Sequence, residues 1–210
     1  MPMVHRAVGS LDASWPFGSL QEGRYRCILA DPPWHFQNYS AKGEGKGAVA
    51  HYPCMGPTEL AALPVAGLAH PEGCALTMWA TAPLLPLAIQ MLAWWGFEFK
   101  SAGSWAKQSS TGQRWAFGPG YCYRAASEFW LLGTRGNPRP MVRNVRNLII
   151  APVREHSRKP DEMRKNCESL WQGPRCELFA RESALGWESW GNQVGKFDPP
   201  EPSPTEEPNV

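Results

Sequence analysis

The chain has 210 residues, a net charge of +2, 43% hydrophobic and 19% charged residues, a composition typical of one soluble globular domain. No run approaches the ~20 apolar residues of a membrane-spanning helix, and the start has no apolar stretch suited to a signal peptide. The six cysteines form no close pair at metal-ligand spacing. We therefore expect no metal site and free thiols in a cytoplasmic protein.

The charges are distributed unevenly along the chain. Residues 100–181 contain fifteen Lys and Arg against six Asp and Glu, a net charge of +9, whereas residues 1–99 carry −2 and residues 182–210 carry −5. A basic central block indicates a polyanionic partner such as nucleic acid. An ordinary solvated basic surface is the alternative.

The first predicted strand, residues 25–30, is short and apolar and ends at Asp31. Pro32 and Pro33 cannot continue a central strand, so the chain must leave the sheet there as a stiff turn. Open α/β sheets bind ligands at this edge. Asp31 and the Pro32 carbonyl can accept hydrogen bonds from one amino group, and Trp34 offers a face on which a planar base can stack.

These two acceptors fit the methylation of an amine conjugated to an aromatic ring. The lone pair of adenine N6 is delocalised into the ring, and acceptors on both of its N–H bonds favour a pyramidal nitrogen whose lone pair points outward. A plain turn that ends a strand is the alternative, but the full Asp-Pro-Pro-Trp after a buried strand favours function.

The remaining pattern predicts a single α/β domain over residues 1–197, with an N-terminal arm (1–23), loops that contact substrate (35–53 and 107–126) and a disordered acidic, proline-rich tail (198–210). Further predicted strands cover residues 74–80, 97–106, 127–134, 147–151 and 175–180, and predicted helices cover 58–63, 83–95 and 161–171.

Two basic stretches lie within this pattern. The loop 107–126 interleaves Arg114 and Arg124 with aromatic residues, the mixture that holds phosphates and stacks on bases; a surface loop with half-buried aromatics is the alternative. Glu128 is costly to bury without a partner, and Arg124 is a plausible one. The segment 136–146 is basic and has no periodicity.

Four patches, in this order along the chain, resemble one known family. They are Asp31-Pro-Pro-Trp34, Tyr52-Pro53, His156-Ser-Arg-Lys-Pro160 and the stretch from Glu177-Leu-Phe-Ala-Arg181 to Asn192-Gln193. They resemble the amino-methyltransferases of the MT-A70 type. The resemblance covers about residues 25–195 and implies a Rossmann-like methyltransferase domain with a mostly parallel, doubly wound sheet and a permuted motif order.

The resemblance also implies roles for individual residues. The implied catalytic residues are Asp31, Pro32, Pro33 and Trp34. The cofactor would be S-adenosylmethionine, bound by Asp12, His156, Ser157, Lys159, Glu177, Leu178, Phe179, Arg181, Asn192 and Gln193, with Lys159 reaching its carboxylate. Substrate contacts are expected from Tyr39, Tyr52, Trp105, Lys107, Arg114, Tyr121 and Arg124.

The expected activity is methyl transfer to N6 of adenine in nucleic acid, with DNA favoured over RNA, by a cytoplasmic protein of bacterial or phage origin. Neither a metal, a membrane nor a protein partner is required. Two alternatives remain: an RNA adenosine methyltransferase, and a non-catalytic nucleic-acid-binding homologue.

Overall fold

The computed structural model describes residues 15–34, 54–155 and 157–199. Within these ranges the chain forms seven strands and three α-helices, one strand more than predicted. The strands are β1 (Cys27–Ala30), β2 (Gly73–Ala80), β3 (Glu98–Gln108), β4 (Ser127–Gly136), β5 (Leu148–Pro152), β6 (Arg175–Leu178) and β7 (Glu188–Trp190). The helices are α1 (Pro57–Ala61), α2 (Leu85–Trp94) and α3 (Glu162–Leu170).

The strands form one sheet in the order β5-β3-β4-β2-β1-β6-β7. β4 runs antiparallel to both of its neighbours, and every other pair is parallel. The expected mostly parallel α/β sheet is confirmed. Because β4 is reversed, its first residues lie at the same edge of the sheet as the last residues of the other strands.

The two longer helices cover opposite faces of the sheet. Alternate residues of β1 point to opposite faces: Ile28 belongs to the same hydrophobic cluster as Met91 of α2, and Leu29 to the same cluster as Met163 of α3. All four residues of β1 are buried, which explains why its sequence is a continuous apolar run. None of the helices in the described ranges is long and apolar enough to cross a membrane.

The predicted helix boundaries need small corrections. The helix expected over 83–95 begins as a 3₁₀ turn (Ala82–Leu84) and continues as α2, with Pro86 in its first turn, where the missing N–H costs nothing. Gly96 follows with a φ of +77°, the left-handed conformation that glycine adopts easily at a helix end. α3 is one residue shorter at each end than predicted, whereas α1 begins one residue earlier and ends two residues earlier than predicted.

The additional strand β7 was missed because it is only three residues long and half-buried throughout. Gly191, directly after it, lets β7 approach β6: a Cβ there would lie 2.6 Å from the Ala180 carbonyl oxygen. The described end of the N-terminal arm packs here, with Phe17 fully buried and its ring edge-on to Trp190 at 5.0 Å.

The domain boundaries remain predictions. The carboxylate of Asp198, the first residue of the predicted tail, accepts a hydrogen bond from the Ser183 N–H at 2.7 Å. Residues 1–14, the loop 35–53 and residues 200–210 lie outside the described part of the chain.

Candidate active site

A cleft lies at the edge of the sheet where β1, β2 and β6 end and β4 begins. The space it encloses is small, about 30 Å³. Six residues predicted for the site line it together: Asp31, Ser157, Lys159, Glu177, Phe179 and Arg181. The topology therefore brings residues from three of the four sequence patches to one place.

Asp31 is held by two cations. Lys159 Nζ donates to both carboxylate oxygens at 2.9 Å, and Arg181 Nη2 donates to Oδ2 at 2.8 Å. Only 14% of the Asp31 side chain and 16% of the Lys159 side chain are exposed, so these charge-assisted hydrogen bonds are shielded from solvent and fix the carboxylate in one orientation.

Lys159 has a second carboxylate partner that the sequence did not indicate. Its Nζ lies 3.3 Å from Glu128 Oε1, so its three N–H groups are all engaged by Asp31 and Glu128. Burial alone would lower the pKa of Lys159, but the charges of Asp31 and Glu128 outweigh it and hold the pKa above its usual value. The predicted contact between Lys159 and a cofactor carboxylate stays a prediction, and it would require one of these bonds to open.

The prediction that Arg124 pairs with Glu128 was wrong. Arg124 instead lies over the Phe117 ring at 4.4 Å, and Glu128 Oε2 pairs with Lys107 Nζ at 2.7 Å. Lys107 belongs to β3 rather than to the following loop, so this ion pair joins the end of β3 to the start of β4. Burial would raise the pKa of Glu128, but Lys159 and Lys107 outweigh it and lower the pKa.

Replacing Glu128 with glutamine is expected to destabilise the fold by about 1–3 kcal/mol at pH 7, because it removes a half-buried carboxylate with two charged partners. A lowered folded-state pKa means that the stabilisation is full above the unfolded-state pKa of about 4.3 and is lost as the pH falls through the folded-state value. Urea unfolding should therefore show the two proteins converging below about pH 4.

Glu98→Gln is the matched control for this prediction. Glu98 also pairs with a lysine on β3, but 75% of its side chain is exposed, so the variant should differ from wild type by less than about 1 kcal/mol at any pH. If Glu128→Gln destabilises the fold no more than Glu98→Gln does, the inferred role of Glu128 is contradicted.

A second ion-pair cluster lines the other side of the cleft. Arg164 of α3 donates from Nε to Glu177 and from Nη1 to Glu182, each at 2.7 Å. Arg158 Nη2 donates to Glu182 at 2.5 Å. Burial raises the pKa of Glu177 despite the opposing charge of Arg164. A glutamate at the end of a strand, held by an arginine behind it, is placed to accept hydrogen bonds from hydroxyl groups in the cleft.

Sequence reasoning missed three members of this cluster: Arg158, Arg164 and Glu182. Weak signals existed, since Arg158 lies inside the patch 156–160 and Glu182 directly follows Arg181. Arg158 Nε is buried and has no hydrogen-bond partner among the described residues. A buried donor without a partner is costly, so a ligand acceptor at this point would be stabilising.

Two residues of the cleft adopt the left-handed backbone conformation. Ser157 has a φ of 63° and Phe179 a φ of 61°, although neither is glycine. Such conformations cost of order 1–3 kcal/mol and concentrate at functional sites. Arg181, two residues after Phe179, connects that segment to Ser157, because its Nη2 also donates to the Ser157 carbonyl at 2.8 Å.

The turn after Asp31 is tied to its surroundings. The Trp34 N–H donates to the Pro32 carbonyl at 2.8 Å, and the Pro33 carbonyl accepts from the Met55 N–H at 3.0 Å. Trp34 is 6% exposed, and its indole N–H donates to the Trp79 carbonyl at 3.1 Å. Its ring is thus packed into the core beside the cleft, and the stacking role remains a prediction.

Two predicted site residues prove to be core residues. Trp105 is 2% exposed, and its indole N–H donates to the Ala151 carbonyl at 2.9 Å, so its ring lies in the core and its contact with substrate stays a prediction. Leu178 is fully buried within β6. Its side chain cannot reach a ligand in the cleft, although its carbonyl accepts from the Asp31 N–H at 3.3 Å. Neither placement could be read from the motif, because a motif does not show which face of the strand each residue occupies.

The loop 109–126 is exposed and aromatic. Its most exposed side chains include Phe117 (76%), Tyr121 (86%) and Tyr123 (91%), with Arg114 and Arg124 also at the surface. Large apolar side chains that are exposed as a group indicate an interaction surface. The loop starts and ends at the cleft edge of the sheet, where β3 and β4 meet.

The remaining predicted residues do not line the cleft or lie outside the described ranges. Asn192 and Gln193 belong to the turns after β7, and Gln193 Oε1 accepts from Lys196 at 3.3 Å; their cofactor contacts stay predictions. The four residues outside the described part of the chain are Asp12, Tyr39, Tyr52 and His156.

A mostly parallel α/β sheet with this charged cleft at its carboxyl edge, next to an Asp-Pro-Pro-Trp turn, has the architecture of a Rossmann-like methyltransferase. Comparison with known proteins narrows this class. The family model MT-A70 matches residues 25–193, and the chain belongs to this family of N6-adenine methyltransferases.

Individual relatives differ in how much of their length is matched. The type II methyltransferase M.MunI of a Mycoplasma species is 31% identical over 206 residues, with 89% of this chain and 84% of that protein covered. The N(6)-adenosine-methyltransferase MT-A70-like of Arabidopsis thaliana is 32% identical over 177 residues, covering 82% of this chain and 24% of the relative. The human catalytic subunit METTL3 is 28% identical over 177 residues, covering 82% and 28%. The chain therefore spans most of M.MunI but about a quarter of the plant and human relatives.

Proposed function

We propose that this enzyme transfers a methyl group from S-adenosylmethionine to N6 of adenine in DNA. The observation that carries the proposal is the placement of Asp31, which follows the central strand β1 and lies oriented in the cleft by Lys159 and Arg181. The Asp-Pro-Pro-Trp turn puts a second acceptor, the Pro32 carbonyl, one residue further on.

The chemistry of the residues that line the cleft supports the proposed cofactor. S-adenosylmethionine, when bound, supplies an electrophilic methyl group on a sulfonium ion. Glu177 is placed to accept from the ribose hydroxyls, and the unpartnered Arg158 Nε is a donor for an acceptor group such as the carboxylate of the amino-acid end. Phe179 lines the same cleft and offers an apolar surface for the adenine ring.

The acceptors of the site match an amino group. A carboxylate has about four lone-pair positions, and the contacts with Lys159 and Arg181 use three of them, which leaves Oδ1 of Asp31 able to accept one more hydrogen bond. The Pro32 carbonyl accepts only the Trp34 N–H among the described residues, so it also has a free lone pair. Together they can hold both N–H bonds of adenine N6.

Holding the amino group in this way favours the reaction through position and charge. The lone pair of N6 turns out of the ring plane and towards the methyl donor. As the N–C bond forms and the bond between the methyl group and sulfur breaks, positive charge develops on N6, and the negative Asp31 carboxylate stabilises it. The proton leaves N6 after the methyl group has been transferred.

The choice of DNA rests on the comparison of lengths. A relative matched over most of its own length is the type II methyltransferase M.MunI, which favours DNA. RNA is the second candidate, because several relatives covered over 82% of this chain are N(6)-adenosine-methyltransferases. The exposed aromatic loop 109–126 suits both DNA and RNA, since the stacking of a base on an aromatic ring does not depend on the sugar.

The test is methyl transfer from labelled S-adenosylmethionine to duplex DNA, single-stranded DNA and RNA in parallel, together with cofactor binding. Transfer to duplex or single-stranded DNA is the expected result. Transfer to RNA alone would identify RNA as the substrate instead of DNA. Cofactor binding without any transfer would indicate a missing target sequence or partner subunit. If the protein neither binds the cofactor nor transfers a methyl group, a non-catalytic homologue is the remaining interpretation.

A further inference from the structure

The segment between β4 and β5, residues 137–147, carries positive charge without any carboxylate. It contains Arg139, Arg143 and Arg146, and all three are exposed. In the cleft, by contrast, cations such as Lys159 and Arg164 are each paired with carboxylates. The positive charge of the segment is therefore not balanced locally.

None of the ion pairs found among the described residues involves Arg139, Arg143 or Arg146. Arg24, which is also exposed, does pair with a carboxylate, Glu188, at 3.0 Å. The guanidinium groups of the segment thus keep their donors free for an anion from outside, and a planar guanidinium binds phosphate bidentately.

The course of the segment relates these arginines to the cleft. It leaves β4 at the edge of the sheet opposite the cleft, where Arg135 pairs with Cys74, and passes the end of α3, where the Met141 N–H donates to the Leu170 carbonyl at 2.8 Å. It then enters β5, the outermost strand on that side. β5 runs back to the cleft edge and ends beside Gln108, where the loop 109–126 begins.

We propose that Arg139, Arg143 and Arg146 bind the phosphate backbone of the nucleic acid at a second place, away from the target base. This inference rests on the proposed function, because it takes nucleic acid as the substrate. Six residues of extended chain separate Arg146 from Pro152, roughly 20 Å. Phosphates follow each other every ~3.4 Å along one strand of a duplex, so the second contact lies about six base pairs from the cleft edge.

The segment acts as a sequence-independent anchor that raises the affinity for long substrates. The matched pair of variants is Arg139→Gln/Arg143→Gln/Arg146→Gln and Arg24→Gln/Lys100→Gln/Lys165→Gln, which lose the same charge from different surfaces. The affinity for a fluorescein-labelled 30-base-pair DNA duplex, measured by anisotropy at several NaCl concentrations, reports the number of phosphate contacts. Methyl transfer to the preferred substrate reports KM and kcat.

The arginine variant should show a slope of log K against log salt that is shallower by about 2 to 3, since each phosphate contact contributes about 0.9. Its KM for the long duplex should rise about tenfold or more while kcat at saturation stays unchanged, because the cleft is untouched. The control variant should keep the wild-type slope. A duplex of about 10 base pairs with the target adenine at its centre extends only about five base pairs to either side and should not distinguish the arginine variant from wild type.

An unchanged slope in the arginine variant overturns the inference, and so does an equal loss in both variants, which would reflect net charge alone. Binding of the full chain to phosphatidylserine vesicles that is tighter than its binding to DNA, and that is lost in the arginine variant, also overturns it. If the arginine variant does not fold, hydrogen exchange of the wild-type protein tests the inference instead. DNA should protect the backbone amides of residues 137–147, and equal exchange with and without DNA would overturn the inference. Methyl transfer with an unchanged slope contradicts only this inference, whereas no transfer to any nucleic acid contradicts the proposed function.

Discussion

Replacing Asp31 with asparagine should lower the rate of methyl transfer by about two to three orders of magnitude, the loss typical of removing one preorganised group that stabilises developing charge. Asparagine keeps the size of the side chain but loses its charge, and it offers one acceptor oxygen where the carboxylate offers two. Cofactor affinity should remain close to wild type, because the proposed cofactor contacts come from other residues. Single-turnover transfer and calorimetric cofactor binding measure the two effects separately.

Asp161→Asn is the matched control for this variant. Asp161 also pairs with an arginine, Arg154, at 2.6 Å, but half of its side chain is exposed, and it does not line the cleft of Asp31. The control should retain wild-type turnover. Thermal unfolding must accompany both variants, because Asp31→Asn leaves Lys159 and Arg181 with fewer partners. Turnover by a folded Asp31→Asn protein within tenfold of wild type would contradict the assigned role of Asp31.

Replacing Arg164 with glutamine should have the largest effect on stability, about 3–5 kcal/mol at pH 8. The variant leaves Glu177 without its ion-pair partner and removes one of the two partners of Glu182, and both carboxylates are largely buried. Burial already raises the pKa of Glu177, and removal of the nearby positive charge raises it further. Chemical denaturation against pH measures the effect.

The sign of the pH dependence follows from the raised pKa. A carboxyl group whose folded-state pKa is raised is tolerated in its protonated form, and the fold loses stability as the pH rises through that value. The difference between Arg164→Gln and wild type should therefore grow from pH 5 to pH 8. Arg24→Gln, at an exposed ion pair, should cost at most about 1 kcal/mol. A small, pH-independent loss in Arg164→Gln would contradict the inferred cluster.

The part of the site that could be predicted from sequence is the part encoded by neighbouring residues. A continuous apolar run followed by Asp31, Pro32 and Pro33 predicts both a buried strand and the point at which the chain leaves the sheet. The position of Asp31 at the carboxyl edge, and the presence of Lys159 and Arg181 in the same cleft, agree with this interpretation.

The part that could not be predicted depends on contacts between distant segments. The sequence shows that Glu128 needs a partner, but the nearest arginine in sequence, Arg124, is not that partner. The reversed direction of β4 places Glu128 beside Lys107 and Lys159 instead. In the same way, a strand pattern of period two does not show that Trp105 faces the core, because the face is set by the packing of α3 against the sheet.

Two clusters of buried charge thus surround the cleft, and they serve different ends. The cluster of Lys107, Glu128, Lys159, Asp31 and Arg181 alternates in sign and fixes the proposed acceptor of the substrate amine. The cluster around Arg164 supports Glu177 on the side proposed for the cofactor. Buried ion pairs add little net stability, so their concentration here is explained better by the orientation of functional groups than by stability.

The most direct measurement of the central claim is mass-spectrometric nucleoside analysis of DNA after incubation with S-adenosylmethionine and either wild-type protein or Asp31→Asn. We expect N6-methyldeoxyadenosine with the wild-type protein and a loss of that product, with cofactor binding retained, in the variant. Methylation of a ring nitrogen or of cytosine, or N6-methyldeoxyadenosine at undiminished yield with Asp31→Asn, would contradict the claim that Asp31 holds the adenine amino group.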